Sequence, residues 1–156
     1  MEKNWSIDET DRRILRLLQR DSGLSVQAVA DTVGLSLSPC WRRIKRLREA
    51  GAITGQVTLV DPKAVGIALT ALANVSLSDH QDATVAAFER AVESWPEVLE
   101  VHAVTGDRDY FLRIAVPDME AYERFLSAKL LKEPCVASVT SRFSLRRVKY
   151  TTALPV

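Results

Sequence analysis

The densest reactive chemistry in this sequence is cationic. Five of the seven residues from Arg42 to Arg48 are basic (Arg42, Arg43, Lys45, Arg46 and Arg48), and no acid interrupts residues 36–48. Guanidinium and ammonium groups at that density neutralise phosphates and release their counterions, so the run suits a polyanionic partner. A helix face that only met water would mix signs to gain i,i+4 pairs; this one does not. Other reactive types are sparse. Cys40 and Cys135 lie far apart without a Cys-x-x-Cys, so neither a structural disulfide nor a zinc site is expected. Together with His80 and His102 they leave open a thiol or metal sensor, in which oxidation changes the affinity for a partner. No Ser/His/Asp or Cys/His pairing and no glycine-rich phosphate loop is present, so an enzyme is not expected.

A cationic run acts only if something presents it. Ser36 is an N-cap candidate and Pro39 falls in the following turn, where its missing amide proton costs nothing. The helix this predicts has Leu37, Cys40, Ile44 and Leu47 on its apolar face and Gly51 as its stop, which leaves Ser38, Trp41, Arg42, Lys45, Arg46 and Arg48 largely on the others. Upstream, Ser25 caps a short helix in which Val26, Val29, Ala30 and Val33 repeat at i, i+3, i+4 and i+7, and Gly34 ends it. Before that, Asp8 and Asp11 start a first helix with Ile14, Leu17 and Leu18 as its buried stripe. Two short helices joined by a glycine-containing turn, the second strongly basic, form a helix-turn-helix that lays its recognition helix into the DNA major groove. Residues near the helix N-terminus reach base edges best, which favours Ser38, Trp41 and Arg42; Trp41 also fits a partly buried packing role. The DNA-facing set is Ser36, Ser38, Pro39, Trp41, Arg42, Lys45 and Arg46.

Charge separates the two ends of the chain. Residues 1–55 carry ten Lys/Arg against seven Asp/Glu, or +3, whereas residues 56–156 carry eleven against thirteen, or −2. Only the first part is expected to meet a polyanion. The content of 47% hydrophobic and 26% charged residues is that of a soluble globular protein. Asp8, Glu9, Asp11, Arg12 and Arg13 stand where a signal peptide needs an apolar stretch, and no apolar run approaches the ~18 residues of a membrane span, so a cytoplasmic, nucleoid-associated protein is expected.

Beyond Gly55 the pattern changes. Residues 56–62 alternate as a connector strand ended by Pro62, and a domain boundary is expected near residues 61–66. Residues 67–77, without charge, predict a strand buried on both faces. Val85, Phe88 and Val92 mark the inner stripe of a helix over 81–94. Strands over 98–105 and 110–116 follow, joined by Gly106-Asp-Arg-Asp as a hairpin connection. A helix over 118–132 carries Met119, Tyr122, Phe125, Leu126 and Leu130 inward, and residues 136–150 predict a long last strand. Strand, helix, strand, strand, helix, strand is the split βαβ, ferredoxin-like order, with helices on one face of a four-stranded sheet. The other face, expected to include Leu69, Phe111 and Phe143, needs a cover, and self-association is the simplest one. The expected fold class is α+β: a three-helix winged helix-turn-helix domain with its connector strand over residues 1–60, then a ferredoxin-like domain over 61–156.

Seven motifs resemble the Lrp/AsnC, or feast/famine, regulators. They are Leu17-Leu-Gln-Arg-Asp, Val33-Gly-Leu-Ser, Pro39-Cys-Trp-Arg-Arg-Ile-Lys-Arg-Leu, Gly51-Ala-Ile-Thr-Gly, Val60-Asp-Pro, Val104-Thr-Gly-Asp-Arg-Asp-Tyr and Thr152-Ala-Leu-Pro. The resemblance covers essentially the whole chain, and it implies a winged DNA-binding domain followed by one that senses amino acid metabolites. It further implies dimers formed through the C-terminal sheets, assembled into octamers or larger rings, with an effector and no cofactor or metal.

The effector site so implied comprises Ala103, Thr105, Gly106, Asp107 and Asp109, with Ser141 and Phe143 from the last strand. Amides at a glycine turn can bind an α-carboxylate, and a carboxylate such as Asp109 an α-ammonium; the same residues also suit a plain tight turn. Where such regulators have Pro-Gly-Val before the last strand, this chain has Pro134-Cys-Val. The segments 39–47 and 148–155 are similar to the subgroup that activates cysteine-degrading enzymes in response to cysteine, which favours cysteine as the effector. A subgroup controlling branched-chain keto-acid breakdown is also close. An architectural DNA-binding protein without an effector shares most of these features.

Overall fold

The computed structural model describes residues 6–156, so the first five residues of the expected N-terminal domain lie outside the described residues. Contacts divide the chain into two units, one running to Thr58 and taking in Lys149–Val156, the other Leu59–Val148.

In the first unit, Asp8 opens α1 (Glu9–Arg20) through a reciprocal cap. Its carboxylate accepts from the Asp11 amide at 2.8 Å while the Asp11 carboxylate accepts from the Asp8 amide at 3.2 Å. The Ser25 hydroxyl accepts from the Ala28 amide at the start of α2 (Val26–Val33). Gly34 ends that helix at φ 74°, in the left-handed region that a side chain disfavours. Ser36 is the N-cap residue of α3 (Leu37–Glu49), but its hydroxyl makes no capping bond. Ile14 and Leu15, Val29, Ala30 and Val33, and Cys40, Ile44 and Leu47 supply the core from the three helices in turn. Two expectations shift. Leu15 is buried whereas Leu17 and Leu18 pack at the margin, because the stripe of α1 starts from Asp11 and continues through Ile14, Leu15 and Leu18 at i+3, i+4 and i+7. Leu37, placed on the apolar face of α3, is 48% exposed.

The expected connector strand over residues 56–62 is not formed. No strand is assigned between α3 and residue 69, and Val57, Leu59 and Val60 are exposed. Alternation alone does not make a strand; a ladder partner must accept from its amides and donate to its carbonyls. At the chain's end, Gln19 donates to the Leu154 carbonyl at 3.2 Å and accepts from its amide at 2.6 Å, and Arg16 Nε donates to the Val156 carbonyl at 2.6 Å. The expected second domain ran to residue 156; its last residues instead bond to α1.

The second unit begins with a 3-10 turn, Lys63–Val65, then β1 (Leu69–Leu77), α4 (Asp82–Glu93), β2 (Val98–Ala103), β3 (Tyr110–Val116), α5 (Met119–Ala128), a second 3-10 turn, Leu130–Lys132, and β4 (Val136–Phe143). The sheet order is β2-β3-β1-β4 with every pairing antiparallel. This is the ferredoxin-like order read from the sequence. One sheet face is the core: Ala71, Ala73, Val75 and Leu77 of β1 and Leu112, Ile114 and Val116 of β3 meet Phe88, Val92, Trp95, Tyr122 and Phe125. The Phe88 and Tyr110 rings lie 4.7 Å apart, and Trp95 meets Phe125 edge-on at 5.5 Å.

Several details differ from expectation, each for a reason of pairing. β1 is buried on one face only, its residues alternating buried and half-buried. Leu69 and Phe143 lie on the helix face: Phe143 is opposite Ala71 and its ring meets that of Tyr122 at 5.1 Å. Phe111, opposite Asn74, is on the open face as expected. β4 stops at Phe143 instead of running to residue 150 because its partner β1 begins at Leu69, and the Ser144 amide makes the last bond, to the Thr70 carbonyl. β2 likewise ends at Ala103. The helix expected over 118–132 breaks at Lys129 (φ −121°, ψ −75°), and Met119 is exposed.

Candidate nucleic-acid interface and ligand pocket

Helix α3 buries Cys40, Ile44 and Leu47 and leaves Ser36, Ser38, Trp41, Arg42, Lys45, Arg46 and Arg48 exposed, with Pro39 half-buried. Its cations divide into two groups. Arg43 Nη1 reaches Asp8 Oδ2 at 2.6 Å and Asp11 Oδ1 at 2.9 Å, and Arg46 Nη2 bonds to the other oxygen of Asp11. Asp11 is wholly buried, the only buried charged side chain among the described residues. Two guanidiniums around one desolvated carboxylate tie the recognition helix to the start of α1. The bond to the Asp11 amide, then Arg43, hold the Asp8 carboxyl below the usual carboxylate range, and the same acids push Arg43 up.

Part of the repulsion in the basic run is therefore relieved inside the protein, by acids more than thirty residues away, and not by a partner alone. Arg46, one of the residues expected at DNA, bonds to Asp11 and keeps about half of its side chain exposed. Arg42 and Arg48 have no hydrogen-bond or ion-pair partner among the described residues. Lys45 lies 3.7 Å from Glu49 and 5.3 Å from the centre of the Trp41 ring, which is itself 52% exposed. The free surface of α3 is thus an exposed indole with three outward cations, beginning at the helix N-terminus.

The residues expected to hold an effector fall in three places. Thr105, Gly106 and Asp107 are exposed on the loop between β2 and β3, with Gly106 at φ 121°. Ala103, opposite Tyr110, lines a different cavity of about 320 Å³ between α4 and β2, where Tyr110 donates to Glu89 at 2.9 Å. Burial and Glu89 push the Tyr110 phenol up to about 12. Ser141 bonds through its hydroxyl to Tyr122, and Phe143 packs on the same ring, so both face the helices.

Asp109 is already engaged. Its Oδ2 accepts from the Leu77 amide at 2.7 Å and its Oδ1 meets His80 Nε2 at 2.7 Å; these bonds, in that order, hold its carboxyl below the usual range, while Asp109 raises His80. The residue closes the β2–β3 loop onto the end of β1, with one bond accepted on each of its two oxygens.

A cavity of about 390 Å³ brings Thr105 and Asp107 together with Val104, Arg108 and, from the open sheet face, Asn74, Phe111, Thr140 and Arg142. Asn74 pairs with both Phe111 and Thr140, and Leu72 with Arg142, which sets these side chains opposite to the core-facing register. Sequence reasoning missed Arg108, Arg142, Asn74 and Thr140. The period-two spacing of Thr140 and Arg142 was a signal, but only the register says which face they share.

Both cysteines are free and buried, and burial pushes both thiols up, away from thiolate chemistry. Among the described residues no group of three or more His, Cys, Asp or Glu side chains stands ready to hold a metal ion, and no helix is long and apolar enough to cross a membrane.

Comparison with known proteins places these two surfaces in context. Residues 7–54 match the family described as winged helix-turn-helix DNA-binding, and residues 70–154 match the Lrp/AsnC ligand binding domain. The chain is 39% identical over 150 residues to the DNA-binding transcriptional activator DecR of Escherichia coli (strain K12), covering 96% of this chain and 99% of that one. Among solved structures, a transcriptional regulator of Neisseria meningitidis in complex with L-Met superimposes with a TM-score of 0.92 at 37% identity, covering 96% of this chain and 97% of that one. An AsnC family transcriptional regulator from Agrobacterium tumefaciens does so at 0.91 and 41% identity, covering 95% and 96%.

Proposed function

The chain belongs to the Lrp/AsnC family of transcriptional regulators, and from that premise we propose that it reads duplex DNA with the N-terminal half of α3 and adjusts that binding to an amino acid held in its second unit. It is a DNA-binding regulator with a ligand-binding domain and not an enzyme. Ser38, Trp41 and Arg42 reach base edges from the start of the recognition helix, Ser36 and Pro39 set its entry, and Lys45 meets phosphates. Arg46 serves with Arg43 to hold the helix at its angle. The observation that carries this reading is the division of cations on α3, with Arg43 and Arg46 bound inward to Asp8 and Asp11 and Arg42 unpaired and outward.

The effector sits against the β2–β3 loop, at Thr105, Gly106 and Asp107. An amino acid is supported by the L-Met bound to the Neisseria meningitidis regulator, and cysteine by the likeness of residues 39–47 and 148–155 to cysteine-responsive members. The open face of the sheet, with Phe111 half-buried on it, associates with a second copy, and such dimers build octamers or larger rings in the cytoplasm, at the nucleoid. Control of cysteine catabolism is the function that follows.

Fluorescence anisotropy on genomic fragments selected by the protein tests this, with and without each common amino acid. Arg42→Ala is expected to lower the slope of log K against log[salt] by about 0.9. An unchanged slope at undiminished affinity removes α3 from the duplex. A thermal-shift screen in which no amino acid stabilises the protein removes the sensor and leaves an architectural DNA-binding protein; a ligand at 100 times its Kd adds about 2.7 kcal/mol.

A further inference from the structure

We infer that Leu37 and Trp41 form an apolar reading patch on the recognition helix that selects thymine, through the methyl group on C5 of that base and the oxygen on C4. This rests on the DNA-binding reading above and adds to it the kind of base that α3 reads.

Leu37 and Trp41 stand four residues apart in the first half of α3, so their side chains share one face of the helix. Leu37 is 48% exposed and Trp41 52%, and neither is among the residues that build or flank the core of the three helices. An isobutyl group and an indole adjoining on an outward face suit a contact surface. Its occupant must combine an apolar centre with an anionic border, because Arg42 and Lys45 flank the patch and no acid occurs in residues 36–48. The major groove of DNA meets that description, with thymine methyls on its floor between two rows of phosphates.

Of the bases, thymine matches the indole best. Trp41 has one polar atom, a donor, and its N–H makes no hydrogen bond among the described residues. In the major groove thymine presents an acceptor oxygen beside a methyl group and no donor. Cytosine presents an amine, which would set donor against donor, and the purines present no apolar group. Lys45 Nζ lies 5.3 Å from the centre of the indole ring, and its attraction to the ring face limits how the ring turns. Leu37 extends the apolar surface by one turn without adding a polar group that needs a partner.

The full-length protein selects duplexes from a random-sequence pool, and the tightest is made again with each thymine in turn replaced by deoxyuridine. That change keeps the base pair and the C4 oxygen and removes only the methyl. Anisotropy at constant salt should show the wild type losing about fourfold at one or more thymines, the worth of one buried methyl group. Trp41→Ala should bind the thymine and deoxyuridine forms alike at one or more of those positions, whereas Arg42→Ala should bind more weakly overall yet keep the preference. The deoxyuridine arm of the wild type involves no substitution in the protein, so misfolding cannot produce its result. Equal binding of both forms by the wild type at every position, or a Trp41→Ala variant that keeps the wild-type preference throughout, overturns the thymine assignment and leaves DNA binding by α3 in place. A wild type that enriches no duplex from the pool overturns the DNA reading itself.

Discussion

Replacing Asp11 with alanine probes the joint between the recognition helix and the rest of its unit. The Asp11 carboxylate is fully buried and accepts from the Asp8 amide and from Arg43 and Arg46. Removing one partner of a buried ion pair costs about 3–5 kcal/mol when the charge left behind stays dry. Here the side chains of Arg43 and Arg46 are 29% and 48% exposed, so both turn to water and the cost falls to about 2–3 kcal/mol. For a unit of this size that lowers the melting temperature by roughly 10–20 °C. Urea and thermal unfolding of the full chain measure the loss. Salt-dependent anisotropy on DNA, well below the transition, then compares single arginine variants. Arg46→Ala should lose stability with a nearly unchanged salt slope; Arg42→Ala should lose slope with unchanged stability. An Asp11→Ala loss under about 0.5 kcal/mol, the level of an ordinary surface substitution, would refute the clamp. So would an Arg46→Ala variant that matches Arg42→Ala in both measurements.

Other outcomes follow from the second unit. Gly106→Ala, at φ 121° with open space around its missing Cβ, meets backbone strain alone of about 1–3 kcal/mol; calorimetry should find weaker effector binding, and anisotropy unchanged DNA binding. Asp109 raises His80 and is itself lowered, so their pair is fully present between the two ordinary values. Its contribution fades as pH rises above 6.5 through the raised His80 value, and again as pH falls below 3.8 through the lowered Asp109 value. Melting temperatures from pH 6 upward should decline in the wild type and be flat in that component in His80→Gln; an identical decline in both would detach the pair from the loop. Both thiols are buried with raised pKa, so the wild type before and after oxidant treatment and a Cys40→Ala, Cys135→Ala variant should all keep the effector response by thermal shift; loss of the response only after oxidation of the wild type revives the thiol sensor.

Local signals set the helix ends. Asp8, Ser25, Gly34 and Gly51 are capping and stopping residues whose effect reaches one helical turn, and all four stand at helix ends. The ferredoxin-like order needed only the alternation of periods along the chain. Other features depended on a partner distant in sequence. Residues 56–62 alternate like a strand but lack a neighbour, and β4 stops where β1 no longer runs beside it. Leu69 and Phe143 look no different from Phe111 in hydrophobicity, yet register turns the first two to the helices and the third to the open face.

The candidate sites divide in the same way. That α3 would be basic and amphipathic was decided by residue types at helical spacing, a property of a single element. Which of its arginines remain free was decided by Asp8 and Asp11 folding back across more than thirty residues, because a buried carboxylate draws the nearest guanidiniums whatever their place in the chain. Arg142 and Asp107 entered one cavity only when strand pairing set Leu72 opposite Arg142 and the β2–β3 loop closed over the sheet. Propensity, capping and periodicity act within a few residues and are written in the sequence. Charge pairing and strand register act through space, and the tertiary structure alone determines them.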